Sequence, residues 1–339
     1  MNSLIKSILS ATTDWLELDF LVRISNQRLV LPFYHTVSDQ DLEHIKHLYP
    51  VTPVKRFKED LDFFQKNFTP VSYSYLLRRI DDKSLKKKNF IFLSFDDGLR
   101  EFHDVVAPIL IQRGIPATCF INSGFVDNKD MFFRLKASLL IEKIANKEIT
   151  AGQKSFIVEL FLQNNLSYNH AKDLLKITDR NKELLDQIAP VLGVDFGEYL
   201  SVHQPYLTTP QIENLIKQGF SFGAHSVSHP YFPFLPEDLQ VEQVLECLRF
   251  LQSKFKVSER LFSFPYTDYE IKQSFFNKIR QDIDLTFGTA NLKLDEIPTN
   301  FQRIPMELWR SYSAERIVKT AYLFFIVKMI FNKHVIYRI

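Results

Sequence analysis

The stretch FIFLSFDDGL, residues 90–99, decides the fold, because an apolar strand-like run ends in two adjacent carboxylates and a glycine. Asp-Gly is a strong turn signal and marks a hairpin when it lies between two alternating strands. Here, however, apolar residues from Leu99 to Leu110 recur at helical spacing before Gly114. Strand, Asp-Asp-Gly and helix form a βα junction, and the carboxyl ends of parallel strands are where α/β folds place their chemistry. The stretch therefore predicts a functional site at the end of a strand rather than a hairpin turn.

Charge and composition exclude several classes of protein. The 339 residues are 45% apolar and 24% charged, with a net charge of +2, so the chain can bury a large core and is not disordered. The balanced charge lacks the basic footprint of nucleic-acid-binding proteins, and we expect no nucleic-acid partner. No segment reaches the roughly 18 uncharged apolar residues of a spanning helix, and the first residues show no secretory signal.

The two cysteines point to a reducing compartment. Cys119 lies in an apolar strand-like run, and Cys247 lies in an amphipathic helical pattern. Both are expected to be small buried side chains rather than partners in a disulfide. Together with the missing signal, they predict a cytoplasmic protein.

Seven short apolar or β-branched runs alternate with helical patterns along most of the chain. The runs are residues 29–35, 89–95, 116–121, 220–225, 261–265, 283–288 and 301–305. Strands that alternate with helices predict a parallel α/β sheet, and closure of that sheet into a barrel is one natural outcome.

Residues 127–206 depart from this alternation, since they contain several helical segments and no strand pattern. They follow the strand 116–121 and should therefore emerge at the carboxyl ends of the strands. We interpret them as a helical insertion that walls or covers a pocket, with a purely structural bracing role as the alternative. Without these roughly 80 residues the chain has about 259, close to the usual size of a barrel domain.

Two further strand ends carry polar groups toward the same edge of the sheet. His225 and His229 follow one strand pattern in FGAHSVSHPYF, and Pro265 and Tyr266 follow another. Two imidazoles and one carboxylate are a common donor set for a catalytic divalent metal. A second carboxylate beside the metal is placed to take a proton from the attacking water. The alternative is a pair of structural histidines with no metal.

These three motifs resemble those of the polysaccharide deacetylase family with the NodB-homology domain. Residues 94–98 read SFDDG, residues 225–229 read HSVSH, and residues 263–266 read SFPY. The resemblance covers about residues 29–306, interrupted by the helical insertion. It implies a single domain over 1–339, a distorted (β/α) barrel with about seven parallel strands, and a metal-dependent N- or O-deacetylase.

The resemblance also implies roles for individual residues. Asp96 is the general base, while Asp97, His225 and His229 bind the divalent metal, with zinc as the expected ion. The backbone N–H of Tyr266 would help to hold the oxyanion.

The chain departs from the family pattern at the general acid. No Leu-x-His motif supplies it, since His334 is the only histidine after His229, and Thr267 replaces the glycine that often follows Pro-Tyr. The segment LPFYHTVSD resembles the Tyr-His segment of the subgroup that acts on exported poly-N-acetylglucosamine. We predict His35 as the acid, because it ends the first strand on the face where the other groups gather; the alternative is a loop histidine that only lines the pocket.

Arg303 is a further candidate in the site. It lies in FQRIPM, at the end of the last predicted strand, on the edge where the other groups gather. We predict that it orients Asp96.

The expected substrate is an N-acetylated amino sugar of a glycan or of a glycan precursor. Two alternatives stay open. One is a glycan-binding or membrane-associated scaffold that has lost full activity with the missing acid. The other is an amidase that acts on a non-sugar substrate.

Residues 314–339 predict a basic, aromatic-rich C-terminal helix. Such a helix either lies on an anionic membrane surface, which would place the protein at the inner membrane, or closes the barrel with its apolar side chains in the core. Lys319 and Lys328 fall on nearly opposite sides of the helix, so there is no clean apolar stripe, and the sequence favours packing in the core.

Overall fold

The computed structural model describes residues 13–79, 88–146, 149–307 and 312–338. These residues contain thirteen short strands and twelve α-helices. The strands are β1 (Leu29–Val30), β2 (Pro32–Tyr34), β3 (Thr69–Pro70), β4 (Phe90–Ile91), β5 (Leu93–Phe95), β6 (Ala117–Ile121), β7 (Ser221–Ala224), β8 (Leu261–Ser263), β9 (Leu285–Gly288), β10 (Leu294–Asp295), β11 (Asn300–Gln302), β12 (Ile304–Pro305) and β13 (Val335–Ile336). The helices are α1 (Leu18–Ser25), α2 (Val54–Asn67), α3 (Tyr73–Arg79), α4 (Ala107–Arg113), α5 (Phe133–Asn146), α6 (Ala151–Gln163), α7 (Glu183–Val191), α8 (Phe196–His203), α9 (Thr209–Lys217), α10 (Glu237–Phe255), α11 (Gln273–Ile279) and α12 (Ala314–Ile330).

Eight strands form one parallel sheet in the order β11-β9-β8-β7-β6-β5-β2-β12. The two end strands, β11 and β12, are consecutive halves of one segment and are separated only by Arg303. One half pairs with β9 and the other with β2, so this segment closes the sheet into a nearly complete barrel. The predicted parallel α/β barrel is thereby confirmed, with its seventh predicted strand paired on both sides.

The first two predicted strands are each divided in the structure. β1 and β2 are separated at Leu31, and β4 and β5 are separated at Phe92. The first halves, β1 and β4, join β3 in a separate three-stranded sheet, whereas the second halves remain in the barrel. Pro32 has no N–H to donate, which suits the change of partner at that point.

Alternation along the barrel strands separates two cores. Leu93, Phe95 and Cys119 are buried with the residues of the surrounding helices. The alternate positions form a second cluster, which includes Phe92 and Phe120. Because successive side chains of a strand point to opposite faces, this second cluster fills the inside of the barrel. Cys119 and Cys247 are both buried and not in a disulfide, as expected.

Helices α5 to α8 lie within residues 127–206 and have a hydrophobic core of their own, with Leu140, Phe161 and Leu185 among its buried members. Leu42 and Ile45, from the loop after β2, are part of the same cluster. The helical segment therefore packs against that loop, and both lie at the carboxyl ends of the barrel strands.

The predicted C-terminal helix is shorter than 314–339. α12 begins after Ser313, whose hydroxyl accepts a hydrogen bond from the Arg316 amide at 3.2 Å, and it ends at Ile330. The chain then turns into β13, which pairs in parallel with β10. Residue 339 lies outside the described residues. Within those residues, no helix combines the length and apolar character that crossing a bilayer requires.

α12 is packed into the barrel's outer core rather than laid on its surface. Ile317, Val318, Ala321, Tyr322 and Phe325 are all buried together with residues of α1 and α2. The Tyr322 hydroxyl donates a hydrogen bond to the Gln27 carbonyl at 2.8 Å.

Truncation after Ser313 is therefore predicted to unfold or aggregate the protein. Each large apolar side chain removed from a core costs about 1.5–3 kcal/mol, and several of them together are comparable to the 5–15 kcal/mol that stabilises a typical protein. Circular dichroism and size-exclusion chromatography measure the result, with Ile330→Ser at an exposed position as the control. A truncated protein that stays folded and loses only its sedimentation with anionic liposomes would instead identify α12 as a membrane contact.

Candidate active site

The residues singled out from the sequence converge on one cavity of about 570 Å³ at the carboxyl ends of the barrel strands. Six of them line it: His35, Asp96, Asp97, His225, His229 and Tyr266. Asp96 reaches the inside of the barrel by alternation along its strand, since Phe92, Ser94 and Asp96 occupy every second position. Arg303 lies behind the cavity and reaches it through Asp96.

Arg303 and Asp96 form a bidentate ion pair inside the barrel. Each terminal nitrogen of the guanidinium lies 2.7 Å from one of the two carboxylate oxygens. Both side chains are buried. The guanidinium also donates to the hydroxyls of Ser94, at 3.0 Å, and Ser263, at 2.6 Å. It lies over the ring of Phe33, 4.2 Å from its centroid. Asp96 is thus held in one orientation.

The same contacts keep Asp96 ionised. Burial is the largest influence and raises the pKa of this carboxyl, but the charges of Arg303 and His225 and the hydrogen bonds from Arg303 outweigh it. The pKa of Asp96 is therefore below its ordinary value, and the group is a carboxylate at neutral pH. A buried, ionised carboxylate at the edge of a cavity is able to accept a proton.

Asp97, His225 and His229 form a buried cluster whose ligand atoms all lie within 4.8 Å of one another. Asp97 Oδ1 is 3.3 Å from His225 Nε2 and 3.2 Å from His229 Nε2. Two ligands held about 2.0–2.1 Å from one tetrahedral cation are separated by about 3.3 Å. The spacing of these donors therefore fits a divalent metal ion.

The hydrogen bonds around the cluster support the same conclusion. His225 Nδ1 lies 2.8 Å from the Ser263 carbonyl oxygen, which can only accept, so Nδ1 carries a proton and Nε2 is the ring nitrogen left to face Asp97. Asp97 Oδ1 is buried and finds no well-aligned hydrogen-bond donor among the described residues. Two lone-pair donors directed at one another are favourable only with a cation or a proton between them.

The loops that carry these groups have unusual backbone geometry. Four residues of the site have positive φ angles between 55° and 72°, and they are Asp97, Ser226, His229 and Tyr266. Non-glycine residues rarely adopt this conformation, and it concentrates at functional sites. Gly98 also has a positive φ, of 63°, and a Cβ there would lie 2.9 Å from Ile121 Cγ2. This explains why glycine follows the paired aspartates.

His35 is paired with Glu307, a residue that was not predicted from the sequence. One Glu307 oxygen accepts from the backbone N–H groups of His35, at 2.8 Å, and Thr36, at 3.0 Å, and the other pairs with His35 Nδ1. Burial lowers the pKa of His35, but the charge and hydrogen bond of Glu307 more than offset it and raise the pKa to about 9. His35 is therefore protonated at neutral pH. The sequence signal for Glu307 was a carboxylate just after the last predicted strand, in RIPME, residues 303–307.

Aromatic rings and the helical segment 127–206 shape the rest of the cavity. The His229 ring lies between Phe132 and Tyr266, at centroid distances of 4.2 Å and 4.8 Å. Phe132, Arg134 and Leu175 of the helical segment line the cavity together with Tyr266, whose side chain is 36% exposed. The site is thus a partly apolar cleft with charged groups at its base.

The C-terminal tail supports the loop that carries Tyr266, and nothing in the sequence signalled this. Arg338 is buried, and its guanidinium pairs with both Asp268 and Asp295. Asp268 lies two residues after Tyr266 and also accepts a hydrogen bond from Gln302 at 2.6 Å. Arg338 and Gln302, which are distant from Tyr266 in sequence, therefore hold the Tyr266 loop in place through Asp268.

Comparisons with known proteins agree with this geometry. The sequence matches the polysaccharide deacetylase family over residues 83–281, which is more than half of the chain. A comparison with curated protein sequences gave no match.

Solved structures share the fold at low sequence identity. The Streptococcus pyogenes deacetylase PplD, in complex with acetate, is 15% identical with a TM-score of 0.56, and the match covers 86% of this chain and 97% of that chain. IcaB from Ammonifex degensii is 16% identical with a TM-score of 0.53, covering 87% and 97%. A de-N-acetylase from Aggregatibacter actinomycetemcomitans is 13% identical with a TM-score of 0.52, covering 84% and 97%.

At these identities the structural likeness shows the fold, whereas the sequence match shows the family. The Asp-Asp, His-x-x-x-His and Pro-Tyr motifs converge on one cavity, as the resemblance to that family implies. The chain therefore belongs to the polysaccharide deacetylase family and is a hydrolase of the carbon–nitrogen bond in sugar acetyl groups.

Proposed function

We propose that the protein is a metal-dependent deacetylase that hydrolyses the acetamide of an N-acetylated amino sugar, in a glycan or a glycan precursor. One observation carries the proposal: a fixed, ionised carboxylate, Asp96, stands beside a buried cluster of one carboxylate and two imidazoles in the same cavity. A base next to a metal site is the arrangement that metal-assisted hydrolysis requires.

Asp97, His225 and His229 would hold the metal, and their nitrogen and oxygen donors suit zinc. A divalent cation bound there supplies Lewis-acid polarisation of the acetyl carbonyl and a lower pKa for water.

Asp96 acts as the general base in this mechanism. Its carboxylate takes a proton from the water that attacks the acetyl carbon, while Arg303 holds both of its oxygens in place. The oxyanion that forms needs a fixed donor, and the backbone N–H of Tyr266 has no hydrogen-bond partner among the described residues. That N–H is therefore available to the oxyanion.

His35 acts as the general acid. Glu307 occupies its Nδ1 and keeps the ring protonated, so Nε2 is the nitrogen that faces away from this pair. A proton from His35 to the sugar nitrogen, as the carbon–nitrogen bond breaks, yields the free amine and acetate. This arrangement compensates for the missing Leu-x-His motif and weakens the case for an inactive scaffold.

Metal content and acetate release, measured on one purified sample, test the proposal. We expect stoichiometric divalent metal and acetate release from oligomers of N-acetylglucosamine or from nucleotide-linked N-acetyl sugars. Release from simple amides alone would identify an amidase instead, and metal without any hydrolysis would support a glycan-binding scaffold.

Loss of any of the three metal ligands is predicted to lower the bound metal. Substituting a residue that only supports a metal ligand typically weakens metal affinity by about 10- to 100-fold. Asp97→Ala, His225→Ala and His229→Ala remove a ligand itself, so each should weaken metal affinity by at least that factor while the barrel stays folded. Metal analysis after gel filtration measures this, with the exposed His170→Ala as the control. If wild-type protein carries no divalent metal and gains no activity with zinc, cobalt or manganese, the metal assignment fails.

Asp96→Asn is predicted to keep the metal and lose most of the rate. The substitution leaves every metal donor in place and removes the proton acceptor, so kcat should fall by about 10²–10⁴-fold, the usual contribution of a general base. Initial rates of acetate release and metal content are measured on the same preparation. Near-normal turnover would reassign the base to another group.

Arg303→Gln is the matched control for that variant. It leaves the carboxylate but removes the charge that lowers the pKa of Asp96, so the acidic limb of the pH–rate profile should move to higher pH with a smaller loss of kcat. Each single substitution leaves one buried charge unpaired, which destabilises by about 3–5 kcal/mol. The double variant Asp96→Asn/Arg303→Gln removes both charges and keeps the test valid if a single variant unfolds.

His35→Gln is predicted to remove the alkaline limb of the pH–rate profile. A general acid acts only while protonated, and Glu307 raises the pKa of His35 to about 9, so wild-type activity should decline as the pH rises toward 9. A bound cation would lower this pKa by repulsion, which places the limb at or below that pH. Glu307→Gln is the control, since it should move the limb to lower pH, and an unchanged profile in both variants would exclude His35 as the acid.

A further inference from the structure

Tyr49 lies in the catalytic cavity with an unused hydroxyl. It belongs to the loop after β2 and lines the cavity beside His35, with 4.8 Å between the two ring centroids. Its hydroxyl oxygen is buried and has no hydrogen-bond partner among the described residues. A buried hydroxyl without a partner is unfavourable, and in native proteins such a group calls for an explanation.

Other buried tyrosines of this chain use their hydroxyls within the fold. Tyr34 donates to Asp60 at 2.9 Å, Tyr73 donates to Asp284 at 2.8 Å, and Tyr322 donates to a backbone carbonyl at 2.8 Å. The Tyr206 hydroxyl accepts from a backbone N–H at 3.0 Å. Tyr49 differs from these four in that its side chain lines the catalytic cavity while its buried hydroxyl has no partner among the described residues.

The electrostatic surroundings make this hydroxyl a donor. Burial raises the pKa of Tyr49 well above its ordinary value, and the nearby carboxylates Asp97, Glu307 and Glu101 raise it further. The phenol is therefore neutral across the working pH range and cannot act as a base. It has a proton to offer to an oxygen atom of a bound molecule.

The position of Tyr49 indicates which part of the substrate it meets. Its ring packs against His35, and in the proposed function His35 delivers a proton to the sugar nitrogen. Tyr49 is therefore on the side of the cavity where the proposed function places the sugar nitrogen. Apart from the acetyl oxygen, the hydroxyl closest to that nitrogen is the one on the neighbouring ring carbon C3, because the oxygen on C1 is part of the link to the rest of the molecule.

We propose that Tyr49 is a specificity-determining residue whose hydroxyl donates a hydrogen bond to a sugar hydroxyl adjacent to the acetamide. This inference rests on the proposed deacetylase function. It explains how the enzyme distinguishes an N-acetyl sugar from an amide that has no ring hydroxyl, because such an amide leaves the Tyr49 donor unpaired.

Tyr49→Phe tests the inference, with Tyr322→Phe as a matched control that also removes one buried hydroxyl. If the Tyr49 hydroxyl has no partner in the fold, its removal leaves the melting temperature equal or higher. Tyr322→Phe should lower the melting temperature by about 1–3 °C, since it loses a hydrogen bond, and should leave activity unchanged. A fall for Tyr49→Phe as large as for Tyr322→Phe would overturn the inference, because it would show that the hydroxyl is bonded within the protein.

Activity is measured on two probes, triacetylchitotriose and 4-nitroacetanilide, of which the second has no sugar. Tyr49→Phe should lower kcat/KM for the trisaccharide by about 5- to 150-fold, the effect of leaving a buried polar group unpaired, and should leave the anilide rate unchanged. Equal losses on both probes, or a trisaccharide rate within twofold of wild type, would overturn the inference.

If wild-type protein hydrolyses neither probe, the proposed function fails, and binding decides the inference separately. Titration of zinc-loaded protein with triacetylchitotriose should then show binding that is weaker for Tyr49→Phe than for wild type, by about 5- to 150-fold in affinity. Equal affinity, or no binding by wild-type protein, would overturn the assignment of Tyr49.

Discussion

The ion pair between Arg303 and Asp96 is the constraint on which the rest of the structure depends. Arg303 is the residue at which the closing segment changes from pairing with β9 to pairing with β2, and its side chain is fully buried. A buried charge without a partner would destabilise the protein by several kcal/mol. The barrel therefore closes with the guanidinium against Asp96, so closure of the sheet and placement of the Asp96 carboxylate depend on the same contact.

Around this pair, the site keeps two titratable groups in opposite charge states at the same pH. Arg303 holds the pKa of Asp96 below its ordinary value, and Glu307 raises the pKa of His35 to about 9. A proton acceptor and a proton donor thus coexist in one cavity, each maintained by a buried partner of opposite charge. Separating the pKa values of neighbouring groups by their environments is how an active site runs acid and base chemistry together.

Elements outside the barrel hold the loops that carry the chemistry. The helical segment 127–206 supplies Phe132, which packs on the His229 ring, and the C-terminal tail supplies Arg338, which fixes Asp268 below the Tyr266 loop. Positive φ angles in these loops are unfavourable for non-glycine residues. Such conformations persist because packing from several directions leaves the backbone no alternative.

The sequence by itself determined the strand and helix pattern, the βα junction at Asp96 and Asp97, and the family through its three motifs, because these depend on local periodicity and turn chemistry. Only the tertiary structure decided the partners: Glu307 for His35, 272 residues apart, Arg338 for Asp268, 70 residues apart, and the unused hydroxyl of Tyr49. Arg303 falls between these cases, since its place at a strand end was visible but its bidentate contact was not. Contacts between distant residues follow from barrel closure and packing, and a local pattern carries no information about them.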